Sequence, residues 1–159
     1  MTAAQYVDVF VRESAATDAL DSLVVPGWNH ADWRKLLAST SVKTFRTSEV
    51  VIQRGTQDRA LYLVADGALE VGVTTFDGVS VSSLARIGTG SVIGEQSFFD
   101  GQPRSANVWT VTDGTLLRWE FDQYTRFGED EPALARDFLF AVARVLSMRL
   151  RLTTIRVRR

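Results

Sequence analysis

The stretch of sequence that decides the fold is Gly88-Thr-Gly-Ser-Val-Ile-Gly-Glu-Gln-Ser-Phe-Phe-Asp-Gly-Gln-Pro-Arg-Ser-Ala-Asn-Val108. It interrupts a series of short apolar runs with three glycines, a glutamate and then a Pro-Arg pair. Gly94 predicts a turn that opens a short helix over residues 95–99, since glycine lets the backbone approach another group closely. The first turn of a helix presents backbone N–H groups and the positive end of a dipole. The stretch therefore predicts a short helix inserted into a β-rich region.

Glu95 and Arg104 in this stretch have the chemistry that an anionic sugar phosphate requires. The guanidinium of Arg forks onto phosphate oxygens better than the ammonium of Lys does. A carboxylate accepts hydrogen bonds from ribose hydroxyls. Gly-rich turns between strands are common, however, and Glu and Arg often form a weak surface ion pair. The residues alone leave both interpretations open, an anion site and a surface ion pair.

Short apolar runs separated by turn residues surround this stretch. The runs are Val50–Ile52, Leu61–Val64, Leu69–Val73, Val79–Leu84, Ser105–Val111 and Leu116–Trp119. Asp-Gly pairs stand at residues 66–67, 77–78, 100–101 and 113–114. Because Asp-Gly supplies the positive φ that tight turns need, three of these pairs are strong signals of β-hairpins. Short strands at nearly regular spacing predict an antiparallel sandwich or barrel.

Helical patterns flank the β-rich region on both sides. Before it, apolar residues recur at helical spacing, Pro26-Gly27 breaks the pattern and Asn29 caps a second helix. The apolar positions of these two helices are Tyr6, Val7, Phe10, Val11, Trp33, Leu36 and Leu37. After it, Asp122 is the predicted N-cap, and Pro132 fits the first turn of a long helix. The apolar face of that helix comprises Leu134, Phe138, Val142, Val145 and Leu146.

These patterns predict one domain with three parts. They are an N-terminal helical segment (residues 1–41), a β-barrel (42–121) that contains the inserted stretch at 88–108, and C-terminal helices (122–159). Most of the four tryptophans are expected in the core or at its rim.

Composition excludes several classes of function. The 159 residues contain no cysteine, so disulfides, iron–sulfur ligation and a cysteine nucleophile are excluded. The single histidine, His30, cannot form a multi-histidine metal site and is expected at a turn or helix start. A net charge of −1 does not suggest nucleic acid, and no run approaches the roughly 20 apolar residues of a membrane span. We expect a cytoplasmic protein that is not an enzyme and has no metal and no cofactor.

The C-terminal residues are basic. Five arginines and no acid lie within residues 149–159. A basic helix end suits the negative end of the helix dipole. The alternative is a contact with nucleic acid, acidic lipid or a partner domain.

The stretch at 88–108 resembles the phosphate-binding cassette of cyclic nucleotide-binding domains. These domains occur in kinase regulatory subunits, cyclic nucleotide-gated channels and bacterial catabolite-activator-type regulators. The cassette reads Phe-Gly-Glu-Leu-Ala-Leu, a few variable residues, then Pro-Arg-x-Ala-Thr/Ser. This chain has Ile-Gly-Glu-Gln-Ser-Phe at 93–98 and Pro-Arg-Ser-Ala-Asn at 103–107, with no gap. The resemblance extends from about Trp33 to Leu150 and includes glycines at 55 and 67.

The resemblance implies a mainly β fold with flanking helices: a jelly-roll or β-roll barrel with a C-terminal lid helix. It implies that Arg104 binds the cyclic phosphate and Glu95 the ribose 2′-hydroxyl. Backbone N–H groups near Gln96–Phe98 and Ser105–Ala106 would complete the phosphate site, with the base between barrel and lid. The ligand-binding residues implied are Gly94, Glu95, Gln96, Ser97, Arg104, Ser105 and Ala106.

The chain departs from the family pattern at a few positions. Gln96 and Ser97 replace Leu and Ala, which changes an apolar contact beneath the cassette, and Asn107 replaces Thr or Ser. In the family, a hydroxyl at the position of Ser105 tends to favour guanine. The expected ligand is cAMP by default, with cGMP as the alternative.

Three alternatives to a stand-alone cyclic nucleotide sensor remain open. One is a degenerate domain that serves as a protein-interaction module, or as an accessory to a transporter, since residues 131–139 resemble domains appended to sulfate-permease-type transporters. Another is the effector domain of a truncated transcription regulator; without a helix-turn-helix module the chain is not expected to bind nucleic acid by itself. An enzyme is the least favoured. The downstream protein partner is unknown, and a homodimer through the terminal helices is left open.

Overall fold

Two antiparallel sheets of four strands each form the centre of the protein. The computed structural model describes residues 2–16, 22–74 and 81–157. The strands are β1 (Ser41–Phe45), β2 (Val50–Ile52), β3 (Leu61–Asp66), β4 (Leu69–Thr74), β5 (Val81–Ile87), β6 (Val92–Ile93), β7 (Asn107–Thr110) and β8 (Gly114–Trp119). The helices are α1 (Val7–Ala15, after a 3-10 turn over Ala3–Tyr6), α2 (His30–Ala38), α3 (Glu95–Asp100), α4 (Phe121–Asp130) and α5 (Pro132–Val157).

The first sheet has the order β1-β8-β3-β6 and the second the order β2-β7-β4-β5. All strand pairs are antiparallel. The mainly β fold with flanking helices and a long C-terminal helix, which the sequence predicted, is confirmed.

Strand β3 separates two hydrophobic cores. Alternate side chains of a strand point to opposite faces. Leu61 and Leu63 therefore pack into a core shared with the helices, whereas Tyr62 and Val64 pack into a core between the two sheets. Because both faces are covered, β3 reads as a continuous apolar run rather than an alternating one.

Two of the Asp-Gly turns do not form the predicted hairpins. Asp66-Gly67 connects β3 to β4, and Asp113-Gly114 lies between β7 and β8; in both cases the two strands belong to different sheets. A tight turn reverses the chain, but burial decides which strand becomes the hydrogen-bonded neighbour. Strands β4 and β5 do pair with each other; the Asp-Gly pair at 77–78 lies outside the described residues, as does the predicted start of β5 at Val79.

The observed elements also differ from the predicted ones in number and in their ends. The sequence pattern predicts neither β1 nor β6. β7 begins at Asn107 rather than Ser105, and the inserted helix α3 runs to Asp100.

The helices largely follow the sequence pattern. Asn29 caps α2, where its side chain accepts a hydrogen bond from the Asp32 amide at 3.0 Å, and His30 is the first residue of that helix. The predicted N-cap of α4 was wrong: Glu120 occupies that position, because β8 ends at Trp119 and the chain turns immediately into the helix. Asp122 lies in the first turn instead.

Helix α5 begins at Pro132 as predicted, and it lies along the protein with one face buried. Phe138, Val142 and Val145 are buried, and Leu134 packs partly buried against the same core. Trp33 and Trp119 are fully buried, as expected for core tryptophans. None of the helices in the described part of the chain is apolar over a length that would cross a bilayer.

Candidate functional site

Helix α3 begins where β6 ends, and Gly94 makes the turn between them. Its φ of 80° is a left-handed conformation that glycine adopts without strain. A Cβ atom at this position would lie 2.5 Å from Nη1 of Arg104 and 2.9 Å from the carbonyl oxygen of Ala60. Glycine is therefore required both for the turn and for the close approach of Arg104.

Arg104 is buried beside this turn, with a side chain 3% exposed. Nη1 donates a hydrogen bond to the Gly94 carbonyl at 3.0 Å, and Nη2 donates to the Ala60 carbonyl at 2.7 Å. Nη2 also lies 3.1 Å from Oδ2 of Asp58. Within the described residues, the buried Nε of Arg104 has no hydrogen-bond partner. Since a buried donor is normally satisfied, this N–H is an unmet hydrogen-bond donor beside the Gly94 turn.

Asp58 joins Arg104 to a second arginine. Arg118 donates from Nη1 and Nη2 to the two carboxylate oxygens of Asp58, both at 3.0 Å. Burial would raise the pKa of Asp58, but hydrogen bonds from Arg118, the Ala60 amide and Arg104 outweigh it and lower the pKa to about 2. Nε of Arg118 lies 2.6 Å from Glu120, the N-cap of α4. A chain of charged side chains thus connects the Gly94 turn to the start of the C-terminal helices.

Glu95, at the first position of α3, is paired with helix α5. Oε1 of Glu95 lies 2.8 Å from Nη1 of Arg149, and both side chains are largely buried. Arg149 also donates to the Val92 carbonyl at 2.8 Å and to Oγ of Ser91 at 3.1 Å. A carboxylate has acceptor positions for several hydrogen bonds, so this ion pair leaves Glu95 able to accept from a ligand hydroxyl.

A cavity of about 420 Å³ lies between the second sheet and α5, next to Arg104 and Glu95. Its floor is apolar, with Ile52, Val71, Ile87 and Val108. Its outer wall is the last two turns of α5, with Leu152, Thr153, Arg156 and Val157. The size is that of a small-molecule pocket with an apolar lining and a few polar groups.

All seven residues predicted for ligand binding line this one cavity: Gly94, Glu95, Gln96, Ser97, Arg104, Ser105 and Ala106. Ser97 is buried, and Oγ of Ser105 donates to Oε1 of Gln96 at 2.5 Å. The structure brings residues 94–97 and 104–106 together, since Arg104 donates to the Gly94 carbonyl and Ser105 to the side chain of Gln96.

Sequence reasoning missed Asp58, Arg118 and Arg149. Asp58 stands in a loop before β3, and nothing in its local sequence marks it as a partner of Arg104. Arg149 had a detectable signal, because it lies four and seven residues after Val145 and Val142 and therefore shares their buried face. The basic pattern of residues 149–159 instead suggests that Arg149 is part of an exposed C-terminal tail.

Comparison with known proteins agrees with this geometry. The family model described as "Cyclic nucleotide-binding domain" matches residues 42–131, more than half of the chain. A search of curated protein sequences finds no match.

Solved structures resemble between three quarters and nearly all of the chain. A cyclic nucleotide-binding domain from Methylobacillus flagellatus KT superimposes with a TM-score of 0.84 and 19% identity, over 98% of this chain and 84% of that one. The N-terminal domain of a transcriptional regulator from Streptomyces coelicolor A3(2) has a TM-score of 0.67 and 30% identity, over 76% and 86%. The regulatory domain of Toxoplasma gondii PKA, solved with cAMP, has a TM-score of 0.62 and 20% identity, over 80% and 45%.

The family that matches is typically a non-enzymatic regulatory one, and no catalytic family is indicated for this chain. The match runs through the cassette, both sheets and α4, and the similar structures carry the same fold. The chain belongs to the cyclic nucleotide-binding domain family.

Proposed function

We propose that this protein is a cytoplasmic receptor module that binds a purine cyclic nucleotide and passes the signal on through its C-terminal helices. The observation that carries the proposal is the cavity of about 420 Å³ in which Arg104 and Glu95 meet. One cationic and one acidic group at the same end of an apolar pocket match a cyclic phosphate and the ribose hydroxyl attached to it.

The cyclic phosphate would contact Arg104. Its side chain is already held in place by the carbonyls of Gly94 and Ala60, so little side-chain entropy is lost when a ligand binds. The backbone N–H groups of the first turn of α3 and of residues 105–106 would supply further donors. These groups together would replace the water that a phosphate loses on entering the pocket.

The ribose 2′-hydroxyl would donate to Glu95, and the base would lie between the second sheet and α5. Because Glu95 also holds Arg149, the ligand contacts a residue that is tied to the lid. A ligand shifts the position of α5 only as far as its affinities for the two positions differ. A ligand that contacts both the second sheet and α5 would bind more tightly when α5 lies against the cavity than when it does not.

cAMP is the default ligand. The Toxoplasma gondii PKA regulatory domain, solved with cAMP, has the same fold, which supports cAMP as a ligand of this architecture. cGMP is the alternative. A downstream protein that reads the position of α5 completes the proposed signalling role, and the protein needs no metal or cofactor for it.

Isothermal titration with cAMP and cGMP tests the proposal. The parent protein is expected to bind at least one of them saturably. Arg104→Ala removes a buried, charge-assisted contact and should weaken binding by at least about 100-fold, or about 3 kcal/mol. Arg86→Ala is the matched control, because Arg86 is exposed on β5 and does not line the cavity.

Arg104→Lys separates a loss of binding from a loss of folding, since lysine keeps the positive charge but lacks the planar guanidinium that binds a phosphate with two hydrogen bonds. It should retain a native melting profile and bind weakly. A folded parent that binds neither nucleotide contradicts the proposal and favours the degenerate interaction module. So does a parent whose binding is unchanged by both Arg104 substitutions.

A second candidate is the effector part of a transcription regulator. It is favoured by the 30% identity with the N-terminal domain of the Streptomyces coelicolor regulator. Sequencing the gene beyond the codon for Arg159 tests it: a helix-turn-helix segment in frame would support it, and a stop codon would contradict it.

A further inference from the structure

We infer that the outer face of α5 docks on a membrane surface that contains anionic lipid. This face comprises Arg144, Leu150, Arg151 and Ile155, none of which lines the cavity. Arg144, Arg151 and Ile155 lie seven and four residues apart and therefore share one side of the helix, with Leu150 beside Arg151. Because this side of α5 does not line the cavity, the inference does not depend on the nucleotide proposed to bind there.

The charge of the chain is divided unevenly between α5 and the rest of the sequence. Residues 138–159 contain six arginines and no acidic residue. Since the net charge of the whole chain is −1, residues 1–137 carry a net charge of −7. The cytoplasmic surface of a membrane is negatively charged, so it attracts segments rich in arginine. Such a surface would therefore attract the end of α5 and repel most of the remaining protein, which fixes the orientation of docking.

Contacts within the protein explain only part of this basic pattern. The helix dipole favours cations in the last turn of a helix, so it does not account for Arg144 or Arg151. Arg149 is paired with Glu95, and Arg156 donates to a backbone carbonyl of β5. Arg144 and Arg151 are exposed, and neither forms an ion pair within the described residues. These two cations are therefore available to an external partner.

Exposed apolar side chains accompany the arginines. Among the described residues, four large apolar side chains that face solvent lie in the last eight residues of α5: Leu150 (66% exposed), Leu152 (42%), Ile155 (54%) and Val157 (82%). A helix that lies on a membrane buries apolar side chains in the headgroup region while its basic side chains contact anionic lipid. The phosphates of a nucleic acid would attract only the arginines. A second copy of the chain would bring like charges together. An anionic membrane surface is therefore the partner that matches both sets of side chains.

Cosedimentation with lipid vesicles tests the inference. Vesicles of equal parts phosphatidylcholine and phosphatidylglycerol are anionic, whereas vesicles of phosphatidylcholine alone carry no net charge. The parent protein should bind the anionic vesicles at least about tenfold more tightly than the neutral ones. Added salt should weaken this binding, because it screens exposed charges. A folded parent that binds neither kind of vesicle, or both equally, overturns the inference.

A pair of double variants locates the contact. Each arginine near an anionic surface contributes about fivefold to the partition coefficient, so Arg144→Gln with Arg151→Gln should weaken binding by about 25-fold. The matched control is Arg34→Gln with Arg126→Gln, which removes the same charge from exposed positions on α2 and α4 and should leave binding nearly unchanged. Equal losses in the two double variants would mean that net charge alone controls binding, which contradicts a contact through α5.

A fluorescent label tests whether the outer face of α5 enters the headgroup region. The chain has no cysteine, so a single introduced cysteine can be labelled uniquely. A polarity-sensitive fluorophore on Ile155→Cys should shift its emission to the blue with anionic vesicles, whereas the same fluorophore on Ala38→Cys, an exposed position of α2, should not. A protein that sediments with anionic vesicles without a shift at position 155 must contact them elsewhere, and the inference would then be wrong.

Duplex DNA and nucleotide titration distinguish the remaining outcomes. A parent that binds duplex DNA but not anionic vesicles overturns the inference in favour of a nucleic-acid contact. Arg144→Gln with Arg151→Gln should keep the parental circular dichroism spectrum and the parental affinity for cAMP and cGMP, since neither residue lines the cavity. A parent that binds anionic vesicles but neither nucleotide supports this inference and contradicts the proposed receptor function. The reverse result leaves the receptor function standing and overturns the membrane contact.

Discussion

At the scale of single residues, Glu95 has an ion-pair partner, Arg149, and a proposed second partner, the ribose hydroxyl of the ligand. Its carboxylate is 2.8 Å from Arg149 and faces the same cavity as Arg104. Substituting Glu95 therefore changes both the proposed ribose contact and the attachment of α5. A ligand that lacks the 2′-hydroxyl separates these two effects, because it loses the ribose contact alone.

Glu95→Gln should weaken cAMP or cGMP binding by about 2 kcal/mol, the usual worth of a hydrogen bond to a charged group. The same variant should scarcely change the affinity for the 2′-deoxy nucleotide, which has no hydroxyl to lose. Calorimetric titration of both proteins with both nucleotides measures the coupling. Equal losses for the two nucleotides would mean that Glu95 acts only through Arg149.

At the scale of elements, the last two turns of α5 depend on few contacts. Residues 150–157 are all exposed to solvent, although several also line the cavity. Arg149 ties the start of this segment to Glu95, Ser91 and Val92, and Arg156 ties its end to Leu84. Segments with little buried apolar surface open at low free energy. The end of α5 is therefore the segment whose stability a ligand in the cavity would change most.

Ligand binding should slow amide hydrogen exchange in residues 150–157 by about tenfold, because the cavity side of the segment becomes covered. Arg149→Ala should speed exchange there in the free protein, whereas Arg144→Ala, an exposed position on the same helix, should not. Mass spectrometry of peptides from this region, with and without nucleotide, provides the measurement. Exchange that ligand leaves unchanged would identify α5 as a rigid wall.

At the scale of the whole molecule, charged side chains connect parts of the fold that the hydrophobic cores keep apart. Asp58 belongs to the loop before β3, Arg104 to the segment before β7 and Arg118 to β8. Glu120 then continues the network to α4. Because Asp58, Arg104 and Arg118 belong to three separate parts of the chain, unfolding separates these three groups, and their pairing contributes to global stability.

Asp58 should make stability depend on pH between about 4 and 2. Its folded pKa, about 2, lies below the ordinary value of 3.8, so the unfolded chain takes up a proton first as the pH falls. The stabilisation is complete above about pH 4 and is lost as the pH approaches 2. Its size should be about 1–2 kcal/mol once solvent screening of the partly exposed carboxylate is allowed for.

Urea unfolding of the parent and of Asp58→Asn across this range measures the contribution. The difference between their free energies of unfolding should shrink as the pH falls from 4 to 2. A difference that stays constant would show that Asp58 is not held in its ionised form by Arg118 and Arg104.

The sequence by itself determined the fold class, the position of α3 and the residues at 94–97 and 104–106 that line the pocket. These features depend on local chemistry. The left-handed turn before α3 requires glycine at position 94, and proline fits the first turn of α5 at position 132. The residues of the cassette also keep the spacing that is typical of the family. Tertiary structure alone decided that the strands on either side of Asp66-Gly67 belong to different sheets, and which groups surround Arg104 and Glu95. Asp58, Arg118 and Arg149 lie 46, 14 and 45 residues from Arg104 along the chain. Such contacts are set by how two cores pack on either side of β3, and no local pattern encodes that packing.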